Sequence, residues 1–172
     1  IAFATDLPTI IPVYSNLPNA IRSANERFTG EALSRSRSRF TDYDLQRFVS
    51  NLGNCHTGAA PYVLNGEAIA LNDRNLNSGT LQELIGRLGI QYIWTVVAST
   101  RTLQRWSGLG GARVAESRAR NQLNELITNR NQIAHRVGGT TLGPEAIRSY
   151  IRFGRALTRS LVMGLEDYAD AL

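Results

Sequence analysis

"ARVAESRARNQLNELITNRNQIAHRV", residues 112–137, is the stretch whose reading decides the fold. A run of Leu and Ile at helical spacing leads into its second half, and Gly138-Gly139 follows as a stop, which predicts about 25 residues of α-helix. A second long helix is expected to begin at Pro144, a favoured first helical position. It should run to the C-terminus with Ile147, Ile151, Leu157, Leu161, Leu165 and Tyr168 along one face. Two long helices joined by Gly-Thr-Thr-Leu-Gly should pack antiparallel, so the expected architecture is an all-α antiparallel helical bundle.

Upstream, "TLQELIGRLG" carries a capping box, Thr80 with Glu83, and a glycine stop at Gly89. "QYIWTVVASTRTLQRWSG" reads as one helix or two short pieces, with Trp94 and Trp106 as core or interface anchors. "TDYDLQRFVSNLG" predicts a helix capped by Thr41 or Asp42 and stopped by Gly53, and "PNAIRSANERFTGEAL" is a further helical candidate. Near residues 61–71, "PYVLNGEAIAL" places Asn65-Gly66 between short apolar runs, a signal for a small β-hairpin or for an irregular insertion between helices. No internal repeat or linker is visible, so residues 1–172 are expected to form one domain.

The 172 residues, 42% of them hydrophobic, suffice for one compact core. The longest apolar run, Ile90 to Ala98, includes Gln91 and Thr95 and falls short of the ~20 residues of a membrane span. No membrane partner is expected. The N-terminus lacks a basic region followed by an apolar one, so no signal peptide is expected either. All 19 basic residues are Arg, against 14 acidic ones, for a net charge of +5. Without Lys, Schiff-base chemistry, a phosphate-loop NTPase and a Ser-Lys dyad are excluded. The single cysteine, Cys55, excludes an internal disulfide and fits a reducing cytoplasm. With His56 and His135 alone, a histidine zinc site would need carboxylates that no motif supplies, so neither metal nor cofactor is expected. The Arg bias suits phosphate esters, whose oxygens match the guanidinium fork; a GC-rich genome produces the same bias.

Placed on a wheel of about 100° per residue, Leu123, Leu126, Ile127, Ile133, Ala134 and Val137 all fall within about 60° of Arg130. Arg130 therefore sits at the centre of an apolar stripe. A guanidinium is costly to bury alone, so the position must face an acid, an interface or an anionic ligand. Asn131 and His135, four residues apart, share a face about 100–140° round from Arg130, within reach of its long stem. These residue types suit cleavage of an RNA phosphodiester by the neighbouring 2′-hydroxyl. His135 transfers protons near neutral pH, Arg130 stabilises the phosphorane, and Asn131 orients the imidazole or a phosphate oxygen. One chain brings one such histidine, so a symmetric homodimer meeting through this helix would supply both acid and base. In the competing reading Arg130 pairs with Asp167 or Glu166 of the last helix, and His135 caps the helix end.

"RNQIAH", with "LITNRNQIAH" before a Gly-rich turn and a final amphipathic helix, resembles the Arg-polar-His motif of the HEPN (higher eukaryotes and prokaryotes nucleotide-binding) superfamily. "LNDRNLNSGTLQELIGRLGI" is similar to the lead-in of its RiboL-PSP-HEPN branch. The resemblance is clearest over residues 70–172. It implies a dimerising helical bundle with metal-independent endoribonuclease activity, in a toxin–antitoxin or anti-phage setting, with Arg130, Asn131 and His135 as the catalytic set. An antitoxin or partner defence protein is the implied partner besides RNA. Arg136 departs from relatives that often carry Gly directly after the His, and it adds a cation for RNA. Some relatives lack activity, so a noncatalytic module for protein interaction or nucleotide and RNA binding is the alternative.

The alternating "SRSRSRF" run, with Arg35, Arg37 and Arg39, reads either as an arm on an RNA backbone or as an exposed loop or frayed helix end. His56 beside Cys55 falls in "GNCHTGAAP", read as a loop without a third group to orient a Cys-His pair.

Overall fold

The computed structural model describes residues 2–35, 39–70, 76–135 and 142–172, and every regular element among them is helical. The all-α expectation holds. The chain divides into two compact units, residues 1–73, 84–90 and 169–172 in the first and 74–83 with 91–168 in the second.

The first unit holds α1 (Ala2–Ile10), α2 (Asn19–Arg35), α3 (Asp42–Thr57) and α4 (Gly66–Ile69). Ala4 and Leu7 of α1, Ile21 of α2 and Cys55 of α3 meet Tyr14, Leu17, Tyr62 and Leu64 in its main core. α3 starts as its sequence predicts. The Thr41 hydroxyl accepts from the Asp44 N–H at 3.2 Å and the Asp44 carboxylate accepts from the Thr41 N–H at 3.1 Å. Its end is different, because the helix passes through Gly53 and stops at Gly58, whose φ of 76° suits glycine. Gly53 costs about 1 kcal/mol inside a helix, and the extra turn offsets this by carrying Cys55 into the core. The Cys55-His56 pair is therefore helical, not a loop.

Of the two readings of residues 61–71 the irregular insertion holds and the hairpin does not: among the described residues there is no strand, and residues 61–65 run without regular structure into α4 at Gly66. A hairpin turn would leave Asn65 in water, whereas its exposure is 1%. Its N–H donates to Asn25 Oδ1, and its Nδ2 donates to Thr29 Oγ1 and the Phe48 carbonyl, each at 2.9 Å. Asn51 Nδ2 donates to its Oδ1 at 3.0 Å. Four bonds to α2 and α3 turn this segment inward.

Tyr62 donates its hydroxyl to the Ile11 carbonyl at 2.9 Å, and burial pushes its pKa up to about 12. An unfolded tyrosine titrates near 10. The folded-state pKa is the higher one, so its stabilising contribution is complete below pH 10 and is lost as pH rises towards 12. Urea midpoints measured from pH 9 to 12 should fall across that window, and Tyr62→Phe should flatten the fall.

The second unit holds the start of α5 (Ser78–Gly86), then α6 (Ile93–Ser99), α7 (Arg101–Trp106), α8 (Ala112–Ala134) and most of α9 (Pro144–Asp170). α5 is capped by Asn77 instead of Thr80: the Asn77 Oδ1 accepts from the Thr80 N–H at 2.8 Å, which places Thr80 in the first turn. The two-piece reading of residues 91–108 is the correct one. Thr100 is extended, with φ −69° and ψ 139°, ending α6 and capping α7. Its hydroxyl meets Ser160 Oγ of α9 at 2.7 Å. Trp94, 1% exposed, is a core residue and donates its indole N–H to the Ser78 carbonyl at 2.9 Å. Ala115, Ala119 and Leu123 bury the inner side of α8.

α9 does begin at Pro144, and it runs back along α6 and α7. Trp106 packs against Phe153 with ring planes tilted by 45° and centroids 4.9 Å apart, Thr100 meets Ser160, and Gly164 lies against Val96. This rotates its buried face to Phe153, Ala156, Leu157 and Ser160. Ile147 and Ile151 stay 47% and 49% exposed, contrary to the single apolar face expected. A methyl at Gly164 would come within 2.7 Å of Val96 Cγ1. It would gain up to about 1 kcal/mol of helix propensity, yet Val96 is β-branched and stiff, and such crowding costs about 1–3 kcal/mol. Gly164→Ala should therefore lower stability by about 1 kcal/mol in urea titration, whereas Gly154→Ala, whose added carbon meets nothing within 4 Å, should raise it.

Candidate functional site

The motif closes α8. Leu123 is buried, Leu126 and Ile127 are half-buried, and Ile133 and Ala134 are exposed, Ile133 by 45%. The apolar stripe thus runs out from the core into an uncovered helix end, and Arg130 is exposed in its midst. Val137 lies outside the described residues.

The Arg130 stem bends round the helix as its length allows, and its Nη1 donates to Asn131 Oδ1 at 2.9 Å. Among the described residues no carboxylate pairs with Arg130, so the expected alternative partners Asp167 and Glu166 are not engaged by it. His135 occupies the C-cap position. Its backbone N–H donates to the Asn131 carbonyl at 2.9 Å, which is the last turn of the helix. The imidazole is exposed, one turn beyond the Asn131 side chain. Arg130 and Asn131 are thus joined directly, and His135 follows on the Asn131 face by helical register.

The opposite flank of the same turn is tied to α9. Asn129 Nδ2 donates to the Tyr150 hydroxyl, and that hydroxyl donates to Glu125 Oε1 at 2.8 Å. On the wheel Asn129 and Glu125 lie about 100° and 140° from Arg130 in one sense, and Asn131 and His135 as far in the other. The clamp therefore holds the helix end without covering the histidine face. Burial first, then the hydrogen bond that the Glu125 carboxylate accepts from it, push the Tyr150 hydroxyl above its ordinary pKa, which keeps it a donor. Sequence reasoning missed these three residues. Asn129 lies inside the quoted motif, but nothing in the chain order links it to a tyrosine 21 positions on.

Of the other candidates, Arg35 ends α2 and Arg39 is exposed, and both belong to the first unit. Arg37 and Arg136 lie outside the described residues. Cys55 and His56 diverge: Cys55 faces Asn25 and the core, where burial pushes its thiol up and disfavours the thiolate, while His56 sits 3.5 Å from Glu26 at the surface. Among the described residues no three His, Cys, Asp or Glu side chains gather as a metal-ligand set, and no helix is long and apolar enough to cross a membrane.

No curated protein and no solved structure matches the chain. The RiboL-PSP-HEPN family model matches residues 3–167, spanning both units and the motif helix. The chain belongs to the RiboL-PSP-HEPN family.

Proposed function

We propose that this protein is a metal-independent endoribonuclease, cytoplasmic, in which both compact units form one HEPN domain and two copies meet through α8. The superfamily is known for ribonuclease and nucleotide-binding roles. The observation that carries the reading is the end of α8: a guanidinium bonded to Asn131, set in an apolar stripe that emerges uncovered at Ile133 and Ala134, with His135 exposed one turn on. A second copy packed over the edge of that stripe on the Asn131 side would cover Ala134 and bring two His135 rings to one phosphodiester. One imidazole takes the 2′-hydroxyl proton as the oxygen attacks phosphorus. The other protonates the departing 5′-oxygen, and Arg130 stabilises the charge on the phosphorane. Asn131 holds the guanidinium in place, and Asn129, Tyr150 and Glu125 hold the helix end.

A toxin or anti-phage effector, held in check by a partner protein, is the setting this chemistry fits. The test is incubation of RNA with the protein in excess EDTA, followed by analysis of the ends. Fragments with 2′,3′-cyclic phosphate and 5′-hydroxyl termini are expected. RNA left intact would instead favour a noncatalytic HEPN module.

A further inference from the structure

A cleft of about 460 Å³ opens in the second unit between α7, α8 and α9, lined by Arg105, Trp106, Arg118, Gln122, Ser149 and Arg152. On the α8 wheel Arg118 and Gln122 lie on the Glu125 and Asn129 side, so the cleft is on the flank away from His135. Three guanidinium groups converge here, and among the described residues no carboxylate pairs with any of them. Arg118 is anchored by donating its Nη1 to the Ser107 carbonyl, and Arg105 and Arg152 are exposed. Trp106 packs on buried Phe153, stays half-exposed and lines the cleft. A ring propped from behind and flanked by arginines suits a nucleobase with its phosphate.

The charge continues beyond the cleft. Arg148, Arg152, Arg155 and Arg159 recur on α9 at spacings of four, three and four, hence on one face, and all are exposed. They span about 16 Å at 1.5 Å per residue. Only Arg148 is held by an ion pair among the described residues, to Glu145 at 2.6 Å, and the other acids of α9 lie beyond the row at Glu166, Asp167 and Asp170. A row of that length fits a strand with more than one phosphate better than a single nucleotide.

We propose that the α7–α8–α9 cleft and the α9 arginine row form a docking track for single-stranded RNA, with a base stacked on Trp106 and phosphates on Arg105, Arg152, Arg155 and Arg159. The choice of RNA over another polyanion rests on the nuclease reading above; the site itself is separate from the histidine motif.

The test is direct binding of a labelled single-stranded RNA to the full chain carrying His135→Ala, which cannot consume it. Arg105→Ala with Arg152→Ala should weaken binding about tenfold or more and reduce the slope of log affinity against log salt by about 1.4, two phosphate contacts' worth. RNA should quench tryptophan emission, and Trp106→Phe should abolish the quench while retaining most of the affinity. Trp106→Leu should weaken binding about tenfold. Unchanged affinity and quenching in these variants would overturn the track. AMP binding as tightly as the RNA would also overturn it, in favour of a mononucleotide pocket, as would binding of acidic polypeptides with no RNA binding. If RNA binds as predicted but the wild type cleaves nothing, the track stands and the nuclease reading fails. If RNA is cleaved and the arginine variants bind normally, only the track fails.

Discussion

His135→Ala is expected to slow RNA cleavage at least about a thousandfold, since general acid–base catalysis contributes about 10²–10⁴ per proton transfer and a two-fold site loses both imidazoles. The fold should not notice. The imidazole is exposed, and the residue's described hydrogen bonds run through its backbone, to the Asn131 and Ile133 carbonyls, which alanine retains. Stability should stay within about 0.5 kcal/mol of wild type. Single-turnover cleavage in EDTA beside urea unfolding reads both quantities. Cleavage that persists in the variant, or a loss matched by unfolding, would sink the catalytic role.

The largest stability effect is expected at Asn65. Alanine there removes the donor to Thr29 and to the Phe48 carbonyl and the acceptor for Asn51, in a site with no room for exposed solvation. Buried groups left without partners cost about 1–3 kcal/mol each, with some relief from relaxation, so Asn65→Ala should cost roughly 3 kcal/mol. Asn65→Asp should cost more despite its similar shape. A carboxylate cannot donate to Thr29 or to the carbonyl, and it would carry a charge into a buried site. Against a typical total of about 5–15 kcal/mol this is a large share. Urea titration of both variants is the measurement, and an aspartate variant as stable as wild type would contradict the network's importance.

Elements with long periodic runs and their own stop signals are legible in the amino-acid order itself. α8, α9 and the α3 cap follow from spacing, Pro144 and Thr41, because local sterics and hydrogen bonds set them. Signals mislead where a buried partner outweighs them. Gly53 does not stop α3, since the following turn delivers Cys55 to the core, and Asn65-Gly66 does not make a hairpin, since Asn25, Thr29, Asn51 and Phe48 bind Asn65. α1, with Pro8 inside it, carries no helical signal; its buried Ala4 and Leu7 are held by Tyr14, Leu17 and Tyr62 from elsewhere in the chain.

The candidate site divides in the same way. Helical register alone sets Arg130 in the apolar stripe and Asn131 with His135 on one face, because those relations depend only on 3.6 residues per turn. That Arg130 turns to Asn131, that the stripe is uncovered at Ile133, and that Tyr150 clamps Asn129 and Glu125 are decided by tertiary structure. So is the meeting of Trp106 with Arg105, Arg118 and Arg152 in one cleft. Contacts between helices depend on how each rotates against its neighbours, and that rotation is fixed by small details far along the chain, such as the missing side chain at Gly164 that lets α9 lie against Val96.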